Sequence, residues 1–292
     1  MHMPLVSVAI PFRDSASTLP DAIRSIFAQT FEDWELLLLD DGSRDHSLDI
    51  ARSISDPRVR VFSDGTNKGL AARLTQAAAE ARAPFLFRMD ADDLMLPHRI
   101  ERQLELLTSD RNLDLVGSGA LTIDAAGNLV GVRRLPPFST DPRDVLRKGL
   151  FIHPTVAGRR EWFLENPYSL EFSRAQDYEL WNRTCRNLSA QRIDEPLIFY
   201  RDGYSSPRSF RLGCQYGRRI YRQYGPRTIG RLMTTRMILR SIANEHLYSV
   251  ASLFGMHKHL VAARSTPLPE HEHNKFASIL AEILTTKIPG LD

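Results

Sequence analysis

The sequence predicts an α/β fold: a mostly parallel central sheet covered by helices on both faces. Two observations carry this. Short apolar runs alternate with segments of helical period through residues 6–107, and most of the runs are apolar at nearly every position rather than at every second one. A strand that is apolar on both sides is buried on both sides, which is the condition of a parallel sheet between helical layers.

The elements follow in order. VSVAIPF (6–12) is a first strand, and Leu19, Ile23, Ile26 and Phe27 then recur at helical spacing. WELLLLDD (34–41) is a second strand, and the alternating RVRVFSD (58–64) a third. Leu70, Leu74, Ala77, Ala78 and Ala81 predict a helix that opens at a glycine turn. APFLFRMD (83–90) is the fourth strand, followed by Ile100, Leu104 and Leu107 on a helix whose first residue is expected at Pro97. Residues 113–131 read as a further strand and a hairpin turning at Gly127 and Asn128, and 135–142 as a loop. AQDYELWNRTCRNL (175–188) is a helix with Ala175, Tyr178, Trp181, Cys185 and Leu188 on one face, and PLIFYR (196–201) is the last strand expected. The loop-like DGYSSPRS (202–209) marks the boundary between a first domain, 1–205, and a helical C-terminal region, 206–292. That region is expected to break at Gly225 and Pro226 and to fray near TPLPEHEH.

Composition bounds the class. With 292 residues, 42% hydrophobic and 25% charged, the chain can bury a core without disulfide or metal staples. Cys185 and Cys214 show no metal-ligand spacing and suit a reducing, cytoplasmic setting. The start of the chain lacks the basic and apolar regions of a signal peptide, and no run approaches the ~18–20 apolar residues of a spanning helix. The formal net charge is +3, unevenly spread: 207–240 holds nine arginines and no Asp or Glu. Two readings stand for this basic stretch: an amphipathic surface lying on an anionic membrane, or helices packed on the first domain. The arginines match no nucleic-acid-binding motif, so nucleic acid is not an expected partner.

In an open α/β sheet, ligands bind beyond the carboxyl ends of the strands. Acidic residues gather there: Asp14, Asp40 and Asp41, Asp64, and Asp90, Asp92 and Asp93. Three carboxylates in four positions repel one another. A hard divalent cation, Mn²⁺ or Mg²⁺, would relieve that repulsion. The alternative is a solvated acidic loop that caps the next helix. Asp40 and Asp41 can accept hydrogen bonds from a base or ribose, or simply form an Asp-Gly turn with Gly42. Asn67 and Gly69 open a helix whose N-terminus can face a phosphate, with Arg73 one turn in, or they are a plain helix start. Asp177 lies in the first turn of its helix, where the macrodipole favours its ionised form and a role as general base, or where it stabilises only that helix. His153, in HPTV, is a candidate for metal or phosphate contact or an ordinary loop histidine.

Taken together and in this order, these segments resemble glycosyltransferase family 2, the inverting enzymes of the GT-A fold. VSVAIPFRD resembles the family's first strand and turn, AIRSIFAQTFEDWELLLLDDGS its following helix and Asp-Asp-Gly-Ser, and NKGLAAR its Asn-x-Gly helix start. MDADD resembles the DxD motif, HPTV a downstream loop, and QDYELW the motif that supplies the base. The resemblance covers roughly residues 5–201. It implies a GT-A fold, Rossmann-like, with a C-terminal helical appendage. It further implies transfer of a sugar from a nucleotide-diphosphate sugar, by default a UDP-sugar, to a saccharide or lipid-linked acceptor in cell-surface polysaccharide or glycolipid synthesis. By the same resemblance Asp177 is the catalytic base and Asp92 binds Mn²⁺ or Mg²⁺, with His153 as a further metal candidate. Pro11, Arg13, Asp40, Asp41, Asn67, Gly69, Arg73 and Asp90 face the nucleotide or donor. Two departures stand out: the first turn reads Pro11-Phe12-Arg13-Asp14 where the family has Pro-x-Tyr-Asn, and Gln176 replaces the usual Glu. A non-catalytic binding protein on the same fold remains an alternative, marked by Gln176. A sugar nucleotidyltransferase would need a glycine-rich loop after the first strand, and PFRDSAST has no glycine.

Overall fold

The computed structural model describes residues 3–202, 207–253 and 264–292. Four strands, β1 (Val6–Phe12), β2 (Trp34–Asp40), β3 (Val59–Phe62) and β4 (Phe85–Arg88), form the parallel half of a ten-stranded sheet in the order β3-β2-β1-β4. The pleat sorts their side chains. Val6, Val8, Ile10, Leu36, Leu38 and Phe87 join one core with α1 (Leu19–Phe27), α2 (Ser47–Ser53) and α4 (Arg99–Ser109). Ala9, Leu37, Leu39 and Leu86 join the other with α3 (Leu70–Glu80). Every residue of β1, β2 and β4 is buried, as the apolar runs require.

The second half of the sheet changes direction. It holds β5 (Leu94–Met95), β6 (Leu115–Ile123), β7 (Leu129–Arg133), β8 (Ala157–Arg159) and β9 (Ala190–Arg201). β8 lies between β4 and β6 and is antiparallel to both. Gly158 permits this close approach, since a Cβ there would sit 2.5 Å from the Asp114 carbonyl oxygen. The β6–β7 hairpin turns through Gly127, as its sequence predicts, while β9 runs parallel to β6 and pairs antiparallel with β5. Helices α5 (Pro142–Lys148), α6 (Arg160–Glu165) and α7 (Gln176–Thr184) cover the second face, where Trp162, Phe163 and Trp181 pack.

Three local expectations are corrected. The helix expected at Pro97 begins at Arg99, because the Pro97 carbonyl instead accepts the Thr30 N–H and ties the loop to the end of α1. The segment 175–188 is helical only over Gln176–Thr184, although Cys185 and Leu188 stay in the same core. The chain does not break at Gly225 and Pro226: α8 (Pro207–Thr228) continues through them. Pro226 lies in the last turn, where it forgoes one ladder bond, that to the Arg222 carbonyl, two residues before the helix ends. The chain turns at Gly230, with φ +80°, before α9 (Arg231–Leu253).

The C-terminal region is more than a frayed appendage. The α8–α9 pair packs through Ile220, Tyr216, Tyr221 and Tyr224 on Leu146, Phe172 and Tyr178. The chain then returns to the sheet. β10 (Ser265–Thr266) pairs with β7, and α10 (Glu270–Leu284) buries Leu280 and Ile283 against Leu94, Leu121 and Phe199. The segment expected to fray at TPLPEHEH instead runs from the last residue of β10, Thr266, through three residues without regular structure into the first turn of α10. The boundary expected between 205 and 206 lies outside the described residues.

Candidate active site

The acidic rim forms as the topology demands. Asp14 follows β1, Asp40 ends β2, Asp64 follows β3, and Asp90, Asp92 and Asp93 follow β4. Asp90, Asp92 and Asp93 converge: one oxygen from each can be chosen so that all lie within 4.8 Å of one another. Their environments differ. Asp92 is exposed, Asp90 half-buried, and Asp93 only 1% exposed. Asp93 accepts the Arg201 N–H at 2.8 Å with one oxygen, while its other oxygen is buried without a partner. Burial, then the charges of Asp90 and Asp92, pushes Asp93 well above the usual carboxylate range. Desolvation and Asp90 push Asp92 the same way. An all-carboxylate set with one orphaned oxygen fits a hard divalent cation.

Arg88, which ends β4, is the residue that sequence reasoning missed. It is 3% exposed and donates to both oxygens of Asp90, with Nη1 to Oδ2 at 2.9 Å. Burial disfavours its charge, but Asp90 and its neighbours outweigh that and hold it protonated. The available signal was a single arginine at the end of an otherwise apolar strand. Arg99, on α4, lies behind it and donates from Nη2 to the Arg88 carbonyl at 2.9 Å.

Beside this cluster is a cavity of about 400 Å³. Asp90 and Arg88 line it, as do His153, Gln176, Asp177 and Tyr200. Asp177 enters from the first turn of α7, preceded by Ala175 in the left-handed region at φ 58°. The macrodipole does not control its titration. Burial raises the Asp177 pKa, against the lowering effects of the Tyr178 backbone hydrogen bond and of Arg88. A raised carboxylate is the better proton acceptor, since its basicity approaches that of the group it must serve. His153 Nε2 lies 2.8 Å from the Tyr168 hydroxyl, and burial together with Arg88 holds the imidazole neutral. It shares the cavity with Asp177 and is not part of the carboxylate cluster.

The predicted donor-side residues divide. Asp41 accepts the N–H groups of Lys68 at 2.7 Å and Gly69 at 3.0 Å, and Arg73 Nε at 3.0 Å. Arg73, 1% exposed, gives its remaining donors to Asp64, Gln76 and the Thr66 carbonyl. Its guanidinium is committed to holding the 64–69 loop, which leaves none of its donors for a phosphate. Asp40 accepts the Ser43 N–H and the Ser63 hydroxyl. Burial raises its pKa, but these bonds outweigh it and leave the carboxylate below its usual value. Pro11 is buried in β1 opposite Leu39, Arg13 is exposed beside Asp14, and Asn67 is exposed at the loop tip. The structure thus brings Asp90 and Asp177 to one cavity, leaves Asp92 outside its lining as Asp90's neighbour in the carboxylate cluster, and gives Asp41, Gly69 and Arg73 to one supporting loop.

Comparison with known proteins accords with this geometry. The chain is 35% identical over 187 residues to EpsE of Bacillus subtilis (strain 168), whose name places it among the glycosyltransferases. That match covers 62% of this chain and 66% of EpsE, just under two thirds of its length. It is 27% identical over 177 residues to WfgD of Escherichia coli, named a UDP-Glc:alpha-D-GlcNAc-diphosphoundecaprenol beta-1,3-glucosyltransferase, covering 61% of this chain and 68% of WfgD. The mannosyltransferase PcManGT of Pyrobaculum calidifontis, solved in complex with GDP-Man and Mn²⁺, shares the fold. Its TM-score is 0.58 at 17% identity, over 97% of this chain and 86% of that one. The description Glycosyl transferase family 2 matches residues 7–166, more than half of the sequence, and the chain belongs to that family.

Proposed function

We propose that the chain transfers a sugar, with inversion and with the help of a divalent metal, from a UDP-sugar to the hydroxyl of a saccharide or lipid-linked acceptor in surface polysaccharide or glycolipid synthesis. The observation that carries this is the shared cavity: Asp90, a member of the Asp90–Asp92–Asp93 cluster, and Asp177 both line it. Asp90, Asp92 and Asp93 would hold Mn²⁺ or Mg²⁺, which when bound neutralises charge developing on a departing diphosphate. Asp177 takes the proton of the acceptor hydroxyl as its oxygen bonds to the anomeric carbon. The bond from that carbon to the diphosphate breaks, and the nucleoside diphosphate leaves. General-base help of this kind is worth ~10²–10⁴-fold, on the order of 3–5 kcal/mol. Neutral His153 and Gln176 supply uncharged hydrogen-bonding groups beside it. Asp41 and Arg73 hold the loop that carries Asn67 and Gly69, and so shape the nucleotide edge of the rim.

The relatives support the reading. PcManGT was solved with a nucleotide sugar and Mn²⁺, and the name of WfgD gives a UDP-sugar donor and a lipid-linked acceptor. Cys185 and Cys214 are unpaired, which fits a reducing cytoplasm. No helix among the described residues is long and apolar enough to cross a membrane, so contact with an anionic lipid surface would be peripheral.

Gln176, buried at the mouth of α7 where the family has Glu, favours one second reading: binding without turnover. A panel of UDP- and GDP-sugars, with and without Mn²⁺, separates the two. Metal-dependent release of free UDP is expected. A thermal shift on donor addition without release of nucleotide from any donor would establish the binding reading instead.

A further inference from the structure

A second and larger cleft, of about 920 Å³, lies between the start of α7 and the α8–α9 pair. Five cations line it: Arg147, Lys148, Arg174, Arg236 and Arg240. No Asp or Glu is among its described lining residues. Lys148 pairs with Asp144 at 3.3 Å, while the other four make no ion pair among the described residues. Glu245, on the same helix as Arg236 and Arg240, is held by Arg211 at 3.3 Å and Arg218 at 2.7 Å and does not neutralise them.

The floor of the cleft is kept open. Gly213 and Gly217 sit one turn apart on α8, and a Cβ at either would meet nothing within 4 Å. A glycine inside a helix costs about 1 kcal/mol relative to alanine. The chain's own packing gives no reason for two of them. Phe210, Met233 and Met237 supply an apolar flank. The cleft also adjoins the candidate active site. Lys148 lines both cavities, and Ala175 on the cleft side directly precedes Gln176 and Asp177 on the other.

We infer that this cleft binds a phosphate or diphosphate ester carried by the acceptor and thereby presents the acceptor hydroxyl to Asp177. Uncompensated like charges in one cleft repel, and a multiply charged anion relieves them. Arginine forks match phosphate oxygens in pairs, which a simple solvated face would not need. The apolar flank suits whatever organic group the phosphate bears. The inference rests on the transferase reading of Asp177, but its test does not.

Calorimetry on the full chain in EDTA, with inorganic pyrophosphate and farnesyl diphosphate as probes, excludes a metal-dependent donor site from the readout. Saturable binding is expected, weakened at least tenfold in Arg236→Gln/Arg240→Gln. Gly217→Leu fills the floor without changing charge and is expected to weaken binding with no fall in Tm. UDP binding in Mn²⁺, unchanged in both variants, shows that fold and donor side are intact. Tighter binding of farnesyl diphosphate points to a lipid-borne phosphate, and equal binding to a phosphate on a soluble saccharide; both support the site. No binding of either probe, or equal binding by wild type and the double variant, overturns it. Absence of UDP binding by the wild type would instead count against the transferase reading.

Discussion

Arg88 clasps Asp90 with both arms of its guanidinium, from inside the sheet toward the rim. The pair makes the carboxylate cluster asymmetric. Asp90 is oriented and compensated, Asp93 is buried with one oxygen orphaned, and Asp92 is the most exposed of the three. Such a graded set presents oxygens on one side while a fixed cation holds the other.

Removing Arg88 therefore leaves the half-buried Asp90 and the buried Asp93 facing each other without the cation beside them. Arg88→Met is expected to destabilise the fold, by less than the ~3–5 kcal/mol that orphaning one partner of a fully buried pair costs, because Asp90 keeps part of its surface in water. Urea denaturation measures it. Arg88→Met/Asp90→Asn should recover part of the loss. A double variant no more stable than Arg88→Met would mean that the pair is not what stabilises this corner.

Asp177→Asn should abolish transfer, by ~10²-fold or more, while leaving UDP binding intact. It should also raise stability at neutral pH. The folded pKa of Asp177 lies above its unfolded value, so the protonated form is the one that folding favours. Its contribution is fully present below the unfolded pKa and is lost as pH rises through the raised folded one. The amide mimics the neutral acid, so the Tm gain over wild type should shrink as pH falls toward 4, the ordinary carboxylate range. In activity the same shift places the acidic limb of kcat above that range. A Tm difference that does not change with pH would refute the assignment of this titration to Asp177.

The sequence is most informative where one residue type has one structural consequence. Apolar runs become β1, β2 and β4 because only a doubly covered strand tolerates them, and the aspartates at their ends land on the ligand rim by topology alone. Direction of burial is harder to read. Arg73 lies one turn into α3 in sequence, as a phosphate-facing arginine would, yet it points inward, because Asp41 and Asp64 arrive from two other strand ends to receive it. That convergence spans residues 41–73 and has no local signature. The same holds for β10, which finds an open edge on β7 more than 130 residues earlier in the chain. The basic stretch after 207 is plain in the sequence, but the cleft appears only when α5, α7, α8 and α9 meet.

The supporting loop makes its own prediction. Gly69 has φ 86° and ψ 158°, a region open essentially to glycine alone, although a Cβ there would have free space. Gly69→Ala thus isolates backbone strain from steric clash. A loss of about 1–3 kcal/mol is expected, with weakened UDP binding, because the Gly69 N–H is one of the donors that fix Asp41. Stability equal to wild type by chemical denaturation would show that the loop relaxes freely and does not depend on this conformation.

The outer face of α9 yields the last prediction. Leu232, Leu239, Leu247 and Val250 are 88%, 60%, 64% and 52% exposed. Leu232, Leu239 and Val250 are spaced by seven and eleven residues and share one side of the helix, with Leu247 next to Val250 along it. Arg231, Arg236 and Arg240 are exposed on the same helix. An apolar stripe edged by cations has the chemistry of a surface that meets anionic lipid, the stripe entering the interface and each arginine adding roughly 1 kcal/mol near the headgroups. The full chain should float with phosphatidylglycerol vesicles at low salt, less with phosphatidylcholine alone, and less again as salt screens the attraction. Leu232→Ser/Leu239→Ser/Leu247→Ser should lower flotation at every salt concentration without lowering Tm, because these side chains support no core. If the triple variant floats as the wild type does, the stripe plays no part in lipid contact; if neither floats, the peripheral location falls with it.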